Sequence, residues 1–144
     1  HFHQSYFFMR RKHDYASLEN HYGQNLWVHR KGAIRARNDE TAIIPGSMGS
    51  NSYIVKGLGN AESFFTSSHG AGRSYSRTAA LEKFSVESVM VDLKDKNVVL
   101  GKNNKKDVAE ECRFAYKDID TVMENQKDLT TPVKKLFTVG VVKG

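Results

Sequence analysis

The stretch TAIIPGSMGSNSYIVKGLG, residues 41–59, decides how this chain is to be read. Ile43–Ile44 on one side and Tyr53–Ile54–Val55 on the other are short β-forming runs, and between them PGSMGSNS (Pro45–Ser52) is built mostly from small residues. Apolar runs bounded by Pro, Gly, Ser and Asn predict strand, loop, strand. Outward from it, LWVHRKGAIRAR (26–37) predicts a strand, a turn at Gly32 and a second strand. SFFTSS (63–68) continues as a short apolar segment into His69. SRTAALEKF (76–84) has helical composition with Leu81 and Phe84 three apart, which puts His69 just ahead of a helix start. SVESVMVDL (85–93) suits helix or strand, and KDKNVVLGKNNKKD (94–107) reads as an exposed strand and a basic turn. AYKDIDTVMENQKDL (115–129) lays Ile119, Val122 and Met123 along one helical face, and TTPVKKLFTVGVVKG (130–144) reads as a final strand. The expected class is therefore α+β, a mixed sheet with a few helices, without the strict βα alternation of a parallel-sheet unit.

Composition narrows the function classes. The chain has 144 residues, enough for one modest core and too few for two independent ones. No stretch approaches the roughly 20 apolar residues of a membrane helix, and the opening HFHQSYFFMRRK lacks the aliphatic run of a signal peptide. A soluble, cytoplasmic protein with no membrane partner is the expectation. Cys112 is the single cysteine, so an internal disulfide or a multi-cysteine zinc site is excluded within this sequence, and Cys112 is expected to be buried filler. The formal charge is +6, and the basic excess sits in residues 1–80, with ten Lys and Arg against five Asp and Glu. Clustered cations gain from releasing counterions at phosphates, which points toward a polyanionic partner.

Two loops carry the chemistry. PGSMGSNS and SSHGAG (Ser67–Gly72) are rich in glycine, which lets backbone N–H groups approach a ligand; phosphates are commonly cradled this way, although ordinary turns have the same composition. Neither loop matches a Walker or dinucleotide fingerprint, and the chain has no GxSxG elbow. His69 stands directly before Gly70, Ala71, Gly72 and Arg73. An imidazole can attack phosphorus when amides or a cation stabilise the phosphoryl oxygens, so His69 is the candidate nucleophile, with Gly70–Gly72 supplying amides and Arg73 a cation. His13, His21 and His29 recur every eight residues, a spacing that gathers no metal site on one helix turn; His21 and His29 are expected to be structural or superficial.

Taken together, WVHRKGAIRAR, IIPGSMGSNSYIVKGLGNAESF, SSHGAGRSYSR, AYKDIDTVM and the closing VKG resemble the RtcB family of tRNA-splicing RNA ligases, in order and at compatible spacing from His13 to Gly144. The resemblance implies the C-terminal part of a larger RNA ligase catalytic domain, or a single domain over residues 1–144. It implies joining of RNA 3′-phosphate or 2′,3′-cyclic phosphate ends to 5′-hydroxyl ends, with GTP and Mn²⁺, through a covalent histidine–GMP intermediate. It places that nucleophile at His69. It assigns the guanylate to His13, Asp14, Pro45, Gly46, Ser47, Met48, Ser52, Gly70, Ala71, Gly72, Tyr116 and Lys143, and manganese to His13.

The departures from the family pattern are specific. Asp14 stands where the family has Asn, Tyr75 where it commonly has Met, and Arg113 where a Pro often precedes AYKDI. The family's further metal ligands, an Asp, a Cys and two His, have no counterparts ahead of His13 in this sequence. The partners implied are RNA and a complementing N-terminal ligase portion or a second copy of the chain. Besides a ligase portion, the sequence admits a nucleotide- or RNA-binding fragment without turnover and a remnant whose glycine loops survive as turns.

Overall fold

The computed structural model describes residues 15–101 and 107–142. A hairpin opens it, β1 (Tyr15–His21) against β2 (Gln24–Arg30), closed by Tyr22 and Gly23 with φ of 53° and 77°. Two residues with positive φ are the twist-compatible hairpin turn. Tyr22 is held there although it is not glycine: its hydroxyl donates to the Ala61 carbonyl at 2.8 Å and its ring meets Phe64 edge-on. This hairpin was not visible in the sequence, whereas the two strands expected over 26–37 are present as β2 and β3 (Ala33–Arg35), with Gly32 turning between them at φ 67°. They do not pair with each other. β3 pairs antiparallel with β6 (Thr66–Ser68), placing Ala33 opposite Ser68.

The stretch 41–59 forms β4 (Thr41–Ile44), a loop and β5 (Ser52–Gly57), with Ile44 opposite Tyr53. Ala42, Ile44, Tyr53 and Val55 turn to one face and are buried. β8 (Thr130–Leu136) adds antiparallel to β5, with an irregularity between Ile54 and Val55; Pro132 is accommodated because β8 is an edge strand. Over the inner face lies α3 (Ile119–Asn125), whose Ile119 and Met123 join Ile34, Ala42, Ile44, Tyr53, Val55 and Ala71 in one core. The face expected for this helix is the one that packs.

A second core gathers the remaining helices. α1 (Arg77–Lys83) and α2 (Val86–Asp95) are capped by Ser76 and Ser85, whose hydroxyls each accept a backbone N–H three residues on. Ala80, Val89, Leu93, Val98, Val108, Cys112 and Ala115 bury together with Met48. The segment that suited helix or strand is thus helix α2, and in α1 it is Ala80 that is buried while Leu81 is exposed. The single final strand is instead two, β8 and β9 (Gly140–Val142), and β9 pairs in parallel with β7 (Val99–Gly101). The α+β class with a mixed set of sheets holds. Among the described residues no helix is long and apolar enough to cross a membrane.

Candidate functional site

The site lies where the two cores meet. The PGSM loop inserts Met48 into the helical core, the HGAG loop inserts Ala71 into the sheet core, and Tyr116 packs against both. Gly46 is required by its surroundings: a Cβ there would stand 2.0 Å from the Asn51 carbonyl oxygen. The loop is closed internally. Ser52 Oγ accepts the Gly46 N–H at 3.2 Å, Ser50 Oγ accepts the Ser47 N–H at 2.6 Å, and Thr138 Oγ1 donates to the Ser50 carbonyl at 2.7 Å. Ser52 is therefore a brace of the loop in this structure, and the Gly46 and Ser47 amides are turned inward to serines.

The two small-residue loops touch. A Cβ on Gly70 would come within 3.1 Å of the Pro45 carbonyl oxygen, so the HGAG backbone lies directly against the start of the PGSM loop. Gly72 adopts φ 72°, among the described residues nothing lies within 4 Å of where a Cβ would stand, and its carbonyl accepts the Lys117 N–H at 2.9 Å. His69 follows β6, half-buried, and its N–H donates to the Gly32 carbonyl at 3.4 Å. It does not immediately precede a helix as expected: four residues of the glycine loop and Ser74–Ser76 intervene before α1 begins at Arg77. Gly70–Arg73 need that length to cross from the sheet core to the AYKD segment, where Arg73 bridges Tyr116.

Arg73 is engaged by protein groups. Its Nε donates to the Tyr75 carbonyl at 2.9 Å, Nη2 to the Glu110 carbonyl at 2.5 Å and Nη1 to Tyr116 Oη at 2.9 Å, with Glu111 Oε1 at 3.5 Å. The guanidinium also lies 4.7 Å from the Tyr116 ring centre. The Tyr116 hydroxyl donates to Glu111 Oε2. Burial and the neighbouring Glu111 carboxylate both push the Tyr116 phenol above its ordinary range, so it stays a neutral donor. The cation expected to face a phosphate is thus held as the centre of a Tyr116–Glu111 cluster.

Against this cluster opens a cleft of about 380 Å³, lined by Gly46, Ser47, Met48, Glu111, Tyr116, Thr138, Val141 and Val142. That volume lies within the range of small-ligand sites. Four of the residues expected to handle a nucleotide, Gly46, Ser47, Met48 and Tyr116, meet on its walls. Pro45 and Gly70 meet where the two loops touch, Ala71 packs in the sheet core, and Gly72 joins the AYKD segment through Lys117; none of the four lines the cleft. His13, Asp14 and Lys143 lie outside the described residues. Among the described residues no three His, Cys, Asp or Glu side chains gather in a metal-binding group, so these residues by themselves do not fit a manganese site.

A buried network outside the expected nucleotide site completes the frame, and two of its members, Glu19 and Arg30, were not singled out from the sequence. Glu19, His21 and Arg30, all buried, form an ionic network in which Arg30 holds Glu19 with two bonds of 2.6 and 3.0 Å, and His21 Nε2 lies 3.1 Å from Glu19 Oε2. Arg30 draws the Glu19 carboxyl down to about 2, partly offset by burial. His21, expected to be structural or superficial, is structural; His29 is at the surface. Cys112 is buried as expected, and burial raises its thiol.

Comparison with known proteins agrees with this arrangement. The family model described as tRNA-splicing ligase RtcB matches residues 3–144. The chain is similar to the RNA-splicing ligase RtcB of Escherichia coli (strain K12), 47% identical over 134 residues that cover 92% of this chain and 31% of that protein. It is 35% identical to the RNA-splicing ligase RtcB of Mycobacterium tuberculosis (strain ATCC 25618 / H37Rv), over 92% of this chain and 35% of the relative. The tRNA-splicing ligase RtcB of Methanopyrus kandleri is 37% identical, over 92% of this chain and 16% of that protein. The chain thus spans about a third or less of the length of these relatives. With the motif order, the joined glycine loops and the family match in agreement, the chain belongs to the RtcB family.

Proposed function

We propose that this chain is the guanylate-handling C-terminal portion of a GTP-dependent RNA ligase, acting with the N-terminal portion of such an enzyme. The observation that carries the reading is the contact of the two glycine loops beside a cleft walled by Gly46, Ser47, Met48 and Tyr116. A histidine directly ahead of one loop and a nucleotide-accommodating cleft beside the other put a nucleophile and a binding site on joined segments, the proximity that nucleotidyl transfer uses.

In this reading an imidazole nitrogen of His69 attacks the α-phosphorus of GTP; an N–P bond forms, the bond to the bridging oxygen breaks and pyrophosphate leaves. An oxygen of the RNA 3′-phosphate then attacks the same phosphorus, the N–P bond breaks, and His69 is restored. The RNA 5′-hydroxyl finally attacks the activated 3′-phosphorus and GMP departs. A 2′,3′-cyclic end enters after hydrolysis to the 3′-phosphate. Tyr116 and Met48 would pack against the guanine, with Ser47, Ser52 and Lys143 as its polar contacts. Gly70, Ala71 and Gly72 give the phosphate room, and Pro45 and Gly46 hold the two loops together. Asp14 would lie near the nucleotide, where its charge is less favourable than the family's Asn. Mn²⁺ belongs to this reading through His13; the described residues gather no ligand set, and no step here is routed through a metal. The partners are RNA ends and the complementing ligase portion, and the setting is the cytoplasm.

The test is incubation with GTP labelled at the α-phosphate and Mn²⁺, with the N-terminal portion of a family ligase supplied, followed by denaturing electrophoresis. An acid-labile band that disappears in His69→Ala is the expected result, with the melting curve of the variant unchanged. A band that persists in His69→Ala refutes the assignment of the nucleophile. No band from the native sequence, with salt-sensitive GTP or RNA binding retained, assigns the chain to binding without turnover.

A further inference from the structure

β6, the three-residue strand that delivers His69, is gripped at both ends by buried side chains from other elements. At its start Arg30 donates from Nε to Thr66 Oγ1 at 2.9 Å and from Nη2 to the Phe64 carbonyl at 2.8 Å. Phe64 and Phe65, just ahead of the strand, take φ 55° and 52°, a region that bulky residues rarely occupy, in a turn closed by backbone bonds to Ala61 and Asn60. At the other end stands Gln126, the residue that closes α3, only 5% exposed. Its Oε1 accepts two hydrogen bonds from Ser68, one from the backbone N–H at 3.1 Å and one from the hydroxyl at 2.9 Å. Its Nε2 donates to Met123 Sδ at 3.4 Å, which fixes which way round the amide lies.

Ser68 is joined directly to His69, so whatever fixes Ser68 fixes the origin of the imidazole. From the opposite side β3 pairs Ala33 with Ser68, and the Gly32 carbonyl accepts the His69 N–H. The backbone at 68–69 is therefore held from two directions, by β3 and by one side-chain oxygen. A Met or Leu at position 126 would fill the same space beside Met123 without carrying polar atoms into the core. What Gln126 supplies, and neither Met nor Leu would, is an acceptor aimed at Ser68.

We propose that Gln126 is a positioning residue for His69: through the paired bonds to Ser68 it couples the end of α3 to the nucleophile and holds the imidazole at attack distance. This rests on His69 acting as the nucleophile. It predicts a rate effect without a binding effect, because Gln126 is not among the residues lining the cleft.

Three variants separate the roles. Gln126→Met keeps volume and removes the acceptor; Gln126→Asn keeps the amide and shortens its reach; Gln126→Glu keeps both reach and acceptor oxygens. With α-labelled GTP and the N-terminal ligase portion, the initial rate of covalent labelling is expected to fall about 10- to 100-fold in the Met and Asn variants, with an unchanged GTP concentration at half-maximal rate. The Glu variant is expected to recover most of the rate. Rates within about twofold of the native chain in all three, or a loss confined to the GTP requirement, overturn the proposal.

Amide hydrogen exchange on the chain alone reads the same contact without turnover. Protection at Ser68 and His69 is expected to fall at least about tenfold in Gln126→Met and to be kept in Gln126→Glu, while protection at Val55 stays unchanged in both. Unchanged protection at 68–69 in the Met variant overturns the proposal. If Gln126→Met does not fold, Ser68→Ala, which deletes the hydroxyl bond alone, decides by the same exchange measurement. Absence of label in the native chain counts against the proposed function, and the exchange result then judges Gln126 separately.

Discussion

Acidifying the protein should weaken the strand that carries His69, by an amount that follows from Glu19. Arg30 and burial act oppositely on this carboxyl, Arg30 prevails, and the group titrates at about 2 where it would ordinarily titrate at 4.5. At 1.36 kcal/mol per pKa unit this displacement corresponds to roughly 3 kcal/mol of stability. The sign follows from proton binding: the unfolded chain takes up the proton first, so the contribution is complete above about pH 4.5 and is lost as pH falls toward 2.

Glu19→Gln removes the titration and leaves the Arg30 guanidinium buried beside a neutral amide, which costs about 3–5 kcal/mol at pH 7. Urea unfolding followed by far-UV circular dichroism at a series of pH values from 7 to 2 should show a large stability gap between native and variant at neutral pH. The gap should narrow between about pH 4.5 and 2. Asp120, held down by Lys135 and Tyr53, contributes its own acid slope to both proteins and cancels in the difference. A gap that stays constant across this range would refute the reasoning, because it would mean that the Glu19 carboxyl titrates alike in the folded and unfolded chains.

Two further outcomes test the site. Gly46→Ala forces a Cβ to 2.0 Å from the Asn51 carbonyl and should cost at least about 1–3 kcal/mol, whereas Gly72→Ala meets nothing among the described residues and bears only the backbone cost of positive φ, about 1–2 kcal/mol; thermal melts of the pair rank them. Tyr116→Phe deletes the hydroxyl shared by Arg73 and Glu111 and should cost about 1–2 kcal/mol in a thermal melt, whereas Tyr116→Ala, which removes the ring, should weaken binding of a fluorescent GTP analogue; unchanged binding in the Ala variant would remove Tyr116 from the nucleotide site.

The parts of the fold that sequence exposed were those where apolar residues carry the pattern. β4 and β5 alternate Ala42, Ile44, Tyr53 and Val55 inward, and α3 places Ile119 and Met123 on the face expected. β1 was hidden because its inward residues are Ser17, Glu19 and His21: an ionic network replaces the hydrophobic alternation that marks a strand. The split of the C-terminal strand was hidden for a different reason, since β9 finds its partner in β7, about forty residues earlier, through backbone bonds that leave no local trace. At the site, His69 and the glycine loops were legible because small residues are scarce in such runs. Gln126 and Glu111 were not, being polar residues at a helix end and in a 3₁₀ turn, where solvent exposure is the usual reason for such side chains. Arg73 was legible as a cation, but its commitment to Glu110, Glu111 and Tyr116 needed the tertiary structure.

Cys112 gives this chain a built-in clock. It is the only thiol, 1% exposed, and it bridges through its backbone to Met48 at the floor of the cleft. Because burial keeps the sulfur protonated and out of reach, an alkylating reagent can modify it only when the helical core around it opens. The rate of a single chemical event thus counts the openings of the core into which Met48 of the cleft wall is packed, and a ligand that binds only the closed form would slow the count as its occupancy rises.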